Sequence, residues 1–195
     1  MASNAALRDD YEEKRRFTYA DYKDWELAEG ERYEIIDGEA YAMSAPNTYH
    51  QSILMELAKQ IAVYLTGKPC KVYPAPFDVR LFFEEDESDD TVVQPDISII
   101  CDKEKRGKEG GHGAPDFVAE ILSPSNTAIE MQRKYELYQE AGVREYWVLD
   151  PEDKTLHTYR FRGEKVASHV YRSSDTVPLG IFNDLEIALE PVFAE

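Results

Sequence analysis

The chain is poor in positive charge. Its 22 Lys and Arg face 39 Asp and Glu, a net charge of −17 over 195 residues. That balance excludes a protein held to nucleic acid by bulk charge, because such binding rests on Lys and Arg displacing counterions. It also argues against a polybasic membrane anchor. Long apolar runs are missing: none approaches the roughly 20 residues of a membrane span, and the first residues contain no apolar core of signal-peptide length. Cysteine is nearly absent. Cys70 and Cys101 stand alone, 2 thiols in the chain, and without an export signal they are expected to be reduced and buried in a cytoplasmic protein. Histidine is scarce too: the 4 scattered residues, even with both cysteines, give no zinc-ligand spacing. No phosphate-loop or dinucleotide glycine pattern occurs, and Ser123-Pro124-Ser125 lacks a nucleophile elbow.

What remains is a foldable chain. At 43% hydrophobic and 12% aromatic residues it is too apolar for a disordered acidic tail. Its length suits one domain that buries roughly 70% of its unfolded surface. Residues 1–16 are polar and aperiodic and read as a lead-in; residues 17–195 read as a single domain. Thr18 with Asp21 resembles a capping box opening a short helix that stops near Gly30. Asp37-Gly38 between Tyr33–Ile36 and Glu39–Met43 is a hairpin signal. Ile53, Leu54, Leu57, Ile61, Tyr64 and Leu65 fall at helical spacing, with Gly67 as the stop. Phe77 to Phe83 alternates as a strand with a wetter face carrying Asp78 and Arg80, and Glu84–Asp90 is an acidic loop. Ile97–Cys101 and Phe117–Leu122 read as buried strands. Between them lies the basic, Gly-rich loop Lys103–Gly113. A helix follows over Thr127–Ala141, ended by Gly142, then a strand at Tyr146–Leu149. Leu156–Phe161 and Lys165–Tyr171 form an antiparallel pair at the sheet edge. The fold class is α/β: a mixed sheet flanked by helices, with an N-terminal helix plus hairpin and a C-terminal antiparallel extension.

Three charged residues sit where a bland domain would not put them. Glu120 lies inside a strand that is otherwise apolar on both faces, and an ionised carboxylate there costs several kcal/mol unless paired or bound to a cation. A salt bridge to an arginine would also explain it. Asp96 follows Pro95 at the head of a strand, a place where a turn aspartate is common. Pro-Asp recurs at Pro115-Asp116, but Asp116 and Glu120 are four residues apart on one extended strand, roughly 13 Å, and cannot share an ion. Asp96 comes from another strand and can. Lys134 lies i+3 from Met131 and i−4 from Tyr138 on the apolar stripe of its helix, so it points coreward while Arg133 points away. A snorkelling lysine is the ordinary alternative. A lone His50 near a helix start is more often a cap or surface residue than a substrate contact.

An acid before one strand, an acid inside the next and a lysine on the following helix resemble the Uma-two family of restriction-endonuclease-like proteins, within the PD-(D/E)xK nuclease superfamily. The resembling stretches are Tyr33–Glu39, Gln94–Ser98, Ala119–Ser125 and Lys134–Tyr138 running on to Pro151. The resemblance spans about Phe17 to Phe161. It implies a restriction-endonuclease-like fold in which Asp96 matches the aspartate of the PD element and Glu120 the acid of the (D/E)xK element, both holding Mg²⁺ or Mn²⁺. Lys134 matches a lysine carried on the helix, and Glu34 an acid that completes the site. The chain departs from the general motif at Leu122, where a lysine is expected, so Lys134 has to substitute from the helix.

The chemistry suits a magnesium-dependent DNA endonuclease. A divalent ion polarises the phosphoryl oxygen and supplies hydroxide near neutral pH, and Mg²⁺ takes one or two carboxylates plus waters. Against −17 overall, DNA binding would have to be local, through Lys103, Lys105, Arg106 and Lys108 or a homodimer cleft, and a solvated charge run is the ordinary alternative for that loop. The competing reading is an inactive nuclease fold serving as an acidic binding or regulatory module.

Overall fold

The computed structural model describes residues 16–194. Apart from Arg16, the expected lead-in of residues 1–16 lies outside the described residues. Helix α1, Tyr19–Tyr22, is opened by the Thr18 backbone N–H, which donates to Asp21 Oδ2 at 3.0 Å. It ends after one turn, well short of Gly30. Strands β1, Tyr33–Ile36, and β2, Glu39–Ala42, pair antiparallel across Asp37-Gly38. Both turn residues have positive φ, 50° and 75°, the conformation a two-residue hairpin of this hand requires.

Helix α2, Thr48–Leu65, starts where the Asn47 side chain accepts a hydrogen bond from the His50 backbone N–H. It buries Ile53, Leu54, Leu57, Ile61 and Leu65, one stripe at 3.6-residue spacing. Strand β3, Lys71–Pro74, comes next. The strand expected from Phe77 to Phe83 contracts to β4, Val79–Arg80. Arg80 is buried rather than wet: its guanidinium pairs with Asp89 and donates to the Glu84 carbonyl at 2.7 Å, folding the chain back.

Strands β5, Val92–Val93, and β6, Ile97–Ile100, lead into the basic loop. That loop contains one 3-10 turn, Lys103–Lys105, and a short strand β7, Gly111–His112. Strand β8, Phe117–Ile121, is buried at all five positions. Helix α3, Ala128–Ala141, follows a full capping box, Thr127 with Glu130, and stops at Gly142 with φ 92°. Strands β9, Glu145–Asp150, β10, Thr155–Arg162, and β11, Lys165–Arg172, continue the sheet. A small pair, β12, Thr176–Pro178, with β13, Glu186–Ala188, and helix α4, Leu189–Val192, close the described chain.

The main sheet has the order β11-β10-β9-β8-β6-β3. Only β8 and β9 are parallel within it, because α3 forms the crossover between them. A second sheet runs β2-β1-β5-β4-β7. Alternation along β8 sends Phe117, Ala119 and Ile121 into a core shared with α2 and α4. Val118 goes the other way, into a core shared with α3 and the second sheet. Glu120, two residues on from Val118, therefore faces α3.

Cys70 and Cys101 are not free thiols. They form a disulfide. Strands β3 and β6 are antiparallel neighbours with Lys71 opposite Ile100, so the residues just outside that pair meet. A separation of 31 residues in the chain gave no hint of it. The bond also removes the thiol argument for a reducing compartment. Among the described residues no helix is long and apolar enough to cross a membrane.

Candidate active site

Four of the residues singled out in the sequence line one cavity of about 210 Å³: Glu34, Asp96, Glu120 and Lys134, with His50 beside them. Each arrives on a different element. Glu34 is on β1, held over α3 by the hairpin it flanks. Asp96 is the residue before β6. Glu120 is the fourth residue of β8, the central strand, and Lys134 lies midway along α3.

The Lys134 ammonium is buried and donates to Glu120 Oε1 at 3.0 Å and to Glu34 Oε1 at 3.1 Å. Glu34 Oε2 is also 3.0 Å away. Glu120 Oε1 accepts a second hydrogen bond, from the Tyr138 hydroxyl at 2.6 Å. Glu34 Oε1 accepts another from the Gln94 backbone N–H at 2.8 Å. Arg133, which sequence spacing turns away from the core, clamps the hairpin instead: it donates to the Ile36 carbonyl and to Asp37, and pairs with the Tyr41 hydroxyl. Adjacent helix residues thus hold the hairpin at two places, Lys134 at the Glu34 carboxylate and Arg133 at the Ile36 carbonyl and Asp37.

Asp96 is anchored differently. Its Oδ2 accepts the Ile121 backbone N–H at 2.7 Å, which ties it to the end of β8, and His50 Nε2 lies 3.3 Å from the same oxygen. Asp96 Oδ1 and Glu120 Oε2 accept no hydrogen bond from the described residues. Each carboxylate therefore spends one oxygen on the protein and keeps the other.

The electrostatics follow from burial. Desolvation pushes the Glu120 carboxyl up to about 7; Lys134 opposes that shift, while Asp96 and Glu34 add to it. Burial pulls the Lys134 ammonium down, but Glu120 and Glu34 outweigh it and hold the lysine above its ordinary value. Burial works against the His50 imidazolium, and the Asp96 carboxylate more than compensates, leaving His50 raised. The Tyr138 phenol is held far above its usual range by burial and by Glu120. Two carboxylates, Glu34 and Glu120, bracket Lys134, and a third, Asp96, sits beside His50.

The family model described as "Putative restriction endonuclease", Uma2, matches residues 19–190. The chain belongs to the Uma2 family. A crystal structure of an Anabaena variabilis protein, described as a putative nuclease belonging to DUF820, superposes with a TM-score of 0.70, covering 91% of this chain and 97% of that one at 22% identity. It shares the fold of this Uma2 chain. An uncharacterized protein of Synechocystis sp. is 28% identical over 118 residues, 60% of this chain and 60% of that protein.

Other expectations for this Uma2 chain resolve in place. Asp116, the rival to Asp96, pairs with Arg144 at 2.9 Å and accepts the Cys101 backbone N–H; it does not line the cavity. None of Lys103, Lys105, Arg106 and Lys108 lines it either. Lys105 donates to the Ala114 carbonyl, and Lys108 borders a separate cavity beside Asp78 and Gln94. The cations at the carboxylate cavity are Lys134 and Arg32. Sequence reasoning set His50 aside as a cap or surface residue and counted Tyr138 only in the apolar stripe of its helix. Tyr138 lies four residues after Lys134 on the same helix face, and that spacing was the available signal. His50 had none, since only the tertiary fold lays the start of α2 against Asp96.

Proposed function

We propose that this protein is a metal-dependent endonuclease that hydrolyses phosphodiester bonds in DNA. One observation carries the reading: Asp96 and Glu120, on neighbouring strands, face one cavity, and each has one oxygen fixed by the protein and one unspent. That donor set suits Mg²⁺, which takes one or two carboxylates and completes its shell with water and phosphate oxygens. Four acidic residues line the cavity, Glu34, Asp96, Glu120 and Glu130, against Arg32 and Lys134, which leaves it short of positive charge. Membership of the Uma2 family and the shared fold support the same reading. Among the described residues no group of three or more Asp, Glu, His and Cys converges at metal-holding distance, so two protein ligands are the number the reading uses.

The bound ion would supply Lewis acidity at the phosphoryl oxygen and a source of hydroxide. The chain's own residues do the positioning. The Ile121 N–H orients Asp96, while Lys134 and Tyr138 orient Glu120. Glu34 and Gln94 hold Lys134 and its partner in register. The Lys134 charge stays beside the carboxylates, where it orients the attacking water and offsets charge developing on the phosphorane.

Nicking of supercoiled plasmid in Mg²⁺ or Mn²⁺ tests this. Wild type should nick and lose activity in chelator. Asp96→Asn and Glu120→Gln should both be inactive while remaining folded. Full activity in either variant, or none in wild type across divalent ions, would sink the reading.

A further inference from the structure

A second cavity, of about 690 Å³, adjoins the first. Ser123 and Asn126 line both, so the turn between β8 and α3 borders the two spaces. The walls of the second are aromatic. Tyr135 of α3 meets Tyr159 of β10 edge-on, with ring centroids 5.0 Å apart, and Tyr146 of β9 stacks on Tyr159 at 5.9 Å. Tyr135 and Tyr159 are only half-buried, so their rings are open to a ligand. No Lys or Arg lines this space among the described residues, and Asp150 is its one carboxylate. Tyr146 is fully buried, and its hydroxyl has no hydrogen-bond partner among the described residues.

We infer that this second cavity receives a nucleobase of the strand being cleaved, unstacked from its neighbours. The inference rests on the phosphodiester reading of the adjoining carboxylates. Size and lining both fit. Small-molecule sites run to a few hundred Å³ with aromatic walls and few polar groups, and aromatic rings stack any base. No cationic side chain lines the space to favour a phosphate, and its aromatic walls suit the ring of a nucleotide. The His157 imidazole, which lines the cavity, supplies a polar partner for the edge of that ring. Extrusion of a base into a pocket lined by aromatic or apolar side chains is a known mode of base recognition by nucleic-acid enzymes.

The test uses the whole chain in chelator, titrated with 2-aminopurine deoxyriboside, an uncharged fluorescent nucleoside. Wild type should quench its fluorescence saturably, adenosine should compete, and inorganic phosphate should not. Ala128 and Gln132 are exposed residues on the cavity wall, so Ala128→Trp and Gln132→Trp fill the space without opening the core. Each should weaken binding about tenfold or more, the scale of one lost stacking contact. His157→Phe keeps a ring in the wall but removes its polar atoms and should bind more weakly, an effect that a packing role alone would not produce. Absence of quenching in wild type, equal affinity in all variants, or displacement by phosphate would overturn the pocket. Plasmid nicking under Mg²⁺, run on the same samples, separates the two claims. Nucleoside binding without any nicking would overturn the assignment to a cleaved strand, and nicking without nucleoside binding would overturn the pocket alone.

Discussion

The Lys134 ammonium lies 3.0 Å from Glu120 Oε1, and both groups are buried. Lys134 therefore sits in the cavity as a fixed counter-charge, shared with Glu34, rather than as a side chain snorkelling towards water. Removing it exposes what it holds in place.

Lys134→Met should abolish nicking and cost about 3–5 kcal/mol in urea unfolding, the usual loss when one member of a buried ion pair is deleted. Lys134→Met combined with Glu34→Gln should recover part of that stability, because fewer charges are left unpaired, yet remain inactive. A Lys134→Met protein as stable as wild type would show that the ion pairs contribute little to the fold.

Metal should stabilise through Asp96. At a hundredfold excess over Kd, Mg²⁺ or Mn²⁺ contributes about 2.7 kcal/mol, roughly 5–10 °C in Tm for a chain of this size. Asp96→Asn keeps an acceptor for the Ile121 N–H but loses the charge, and its Tm should not move. Equal shifts in both proteins would remove Asp96 from the metal site.

Glu145 offers a pH test away from the cavity. It is buried and donates nothing as a carboxylate; Trp147 Nε1 donates to its Oε1 at 2.7 Å, and Arg160 Nε lies 3.3 Å off. Its Oε2 has no partner among the described residues. Burial raises its pKa, with Trp147 and Arg160 opposing. The folded state therefore holds this proton more tightly than the unfolded state. The stabilisation is complete below the ordinary glutamate pKa and is lost as pH rises through the folded value. Glu145→Gln should be flatter across that interval and more stable than wild type above it. A steeper profile in the variant would contradict the assignment.

The Cys70–Cys101 bond closes a loop of 31 residues. Reduction, or Cys70→Ser with Cys101→Ser, should lower unfolding free energy by about 3.7 kcal/mol on the loop-entropy scale. Nicking at a temperature where both forms are folded should be unchanged, since neither cysteine lines the carboxylate cavity. Unchanged stability on reduction would mean that the bond constrains little.

Local chemistry in the sequence was enough to determine the elements around the site. The Asp37-Gly38 turn and the Gly142 stop each act within four residues, so their outcome does not depend on the rest of the fold. A buried acid in an apolar strand and a lysine on an apolar helix stripe were legible for a similar reason: strand and helix periodicity alone decide which way such side chains point. Everything that required two distant segments to meet was decided by tertiary structure. His50 reaches Asp96 only because α2 starts beside the head of β6. Cys70 reaches Cys101 only because β3 pairs with β6. Phe77 to Phe83 alternates as a strand should, yet the buried Arg80–Asp89 pair turns the chain after two residues, because pairing a charge outweighs a weak local preference for extension.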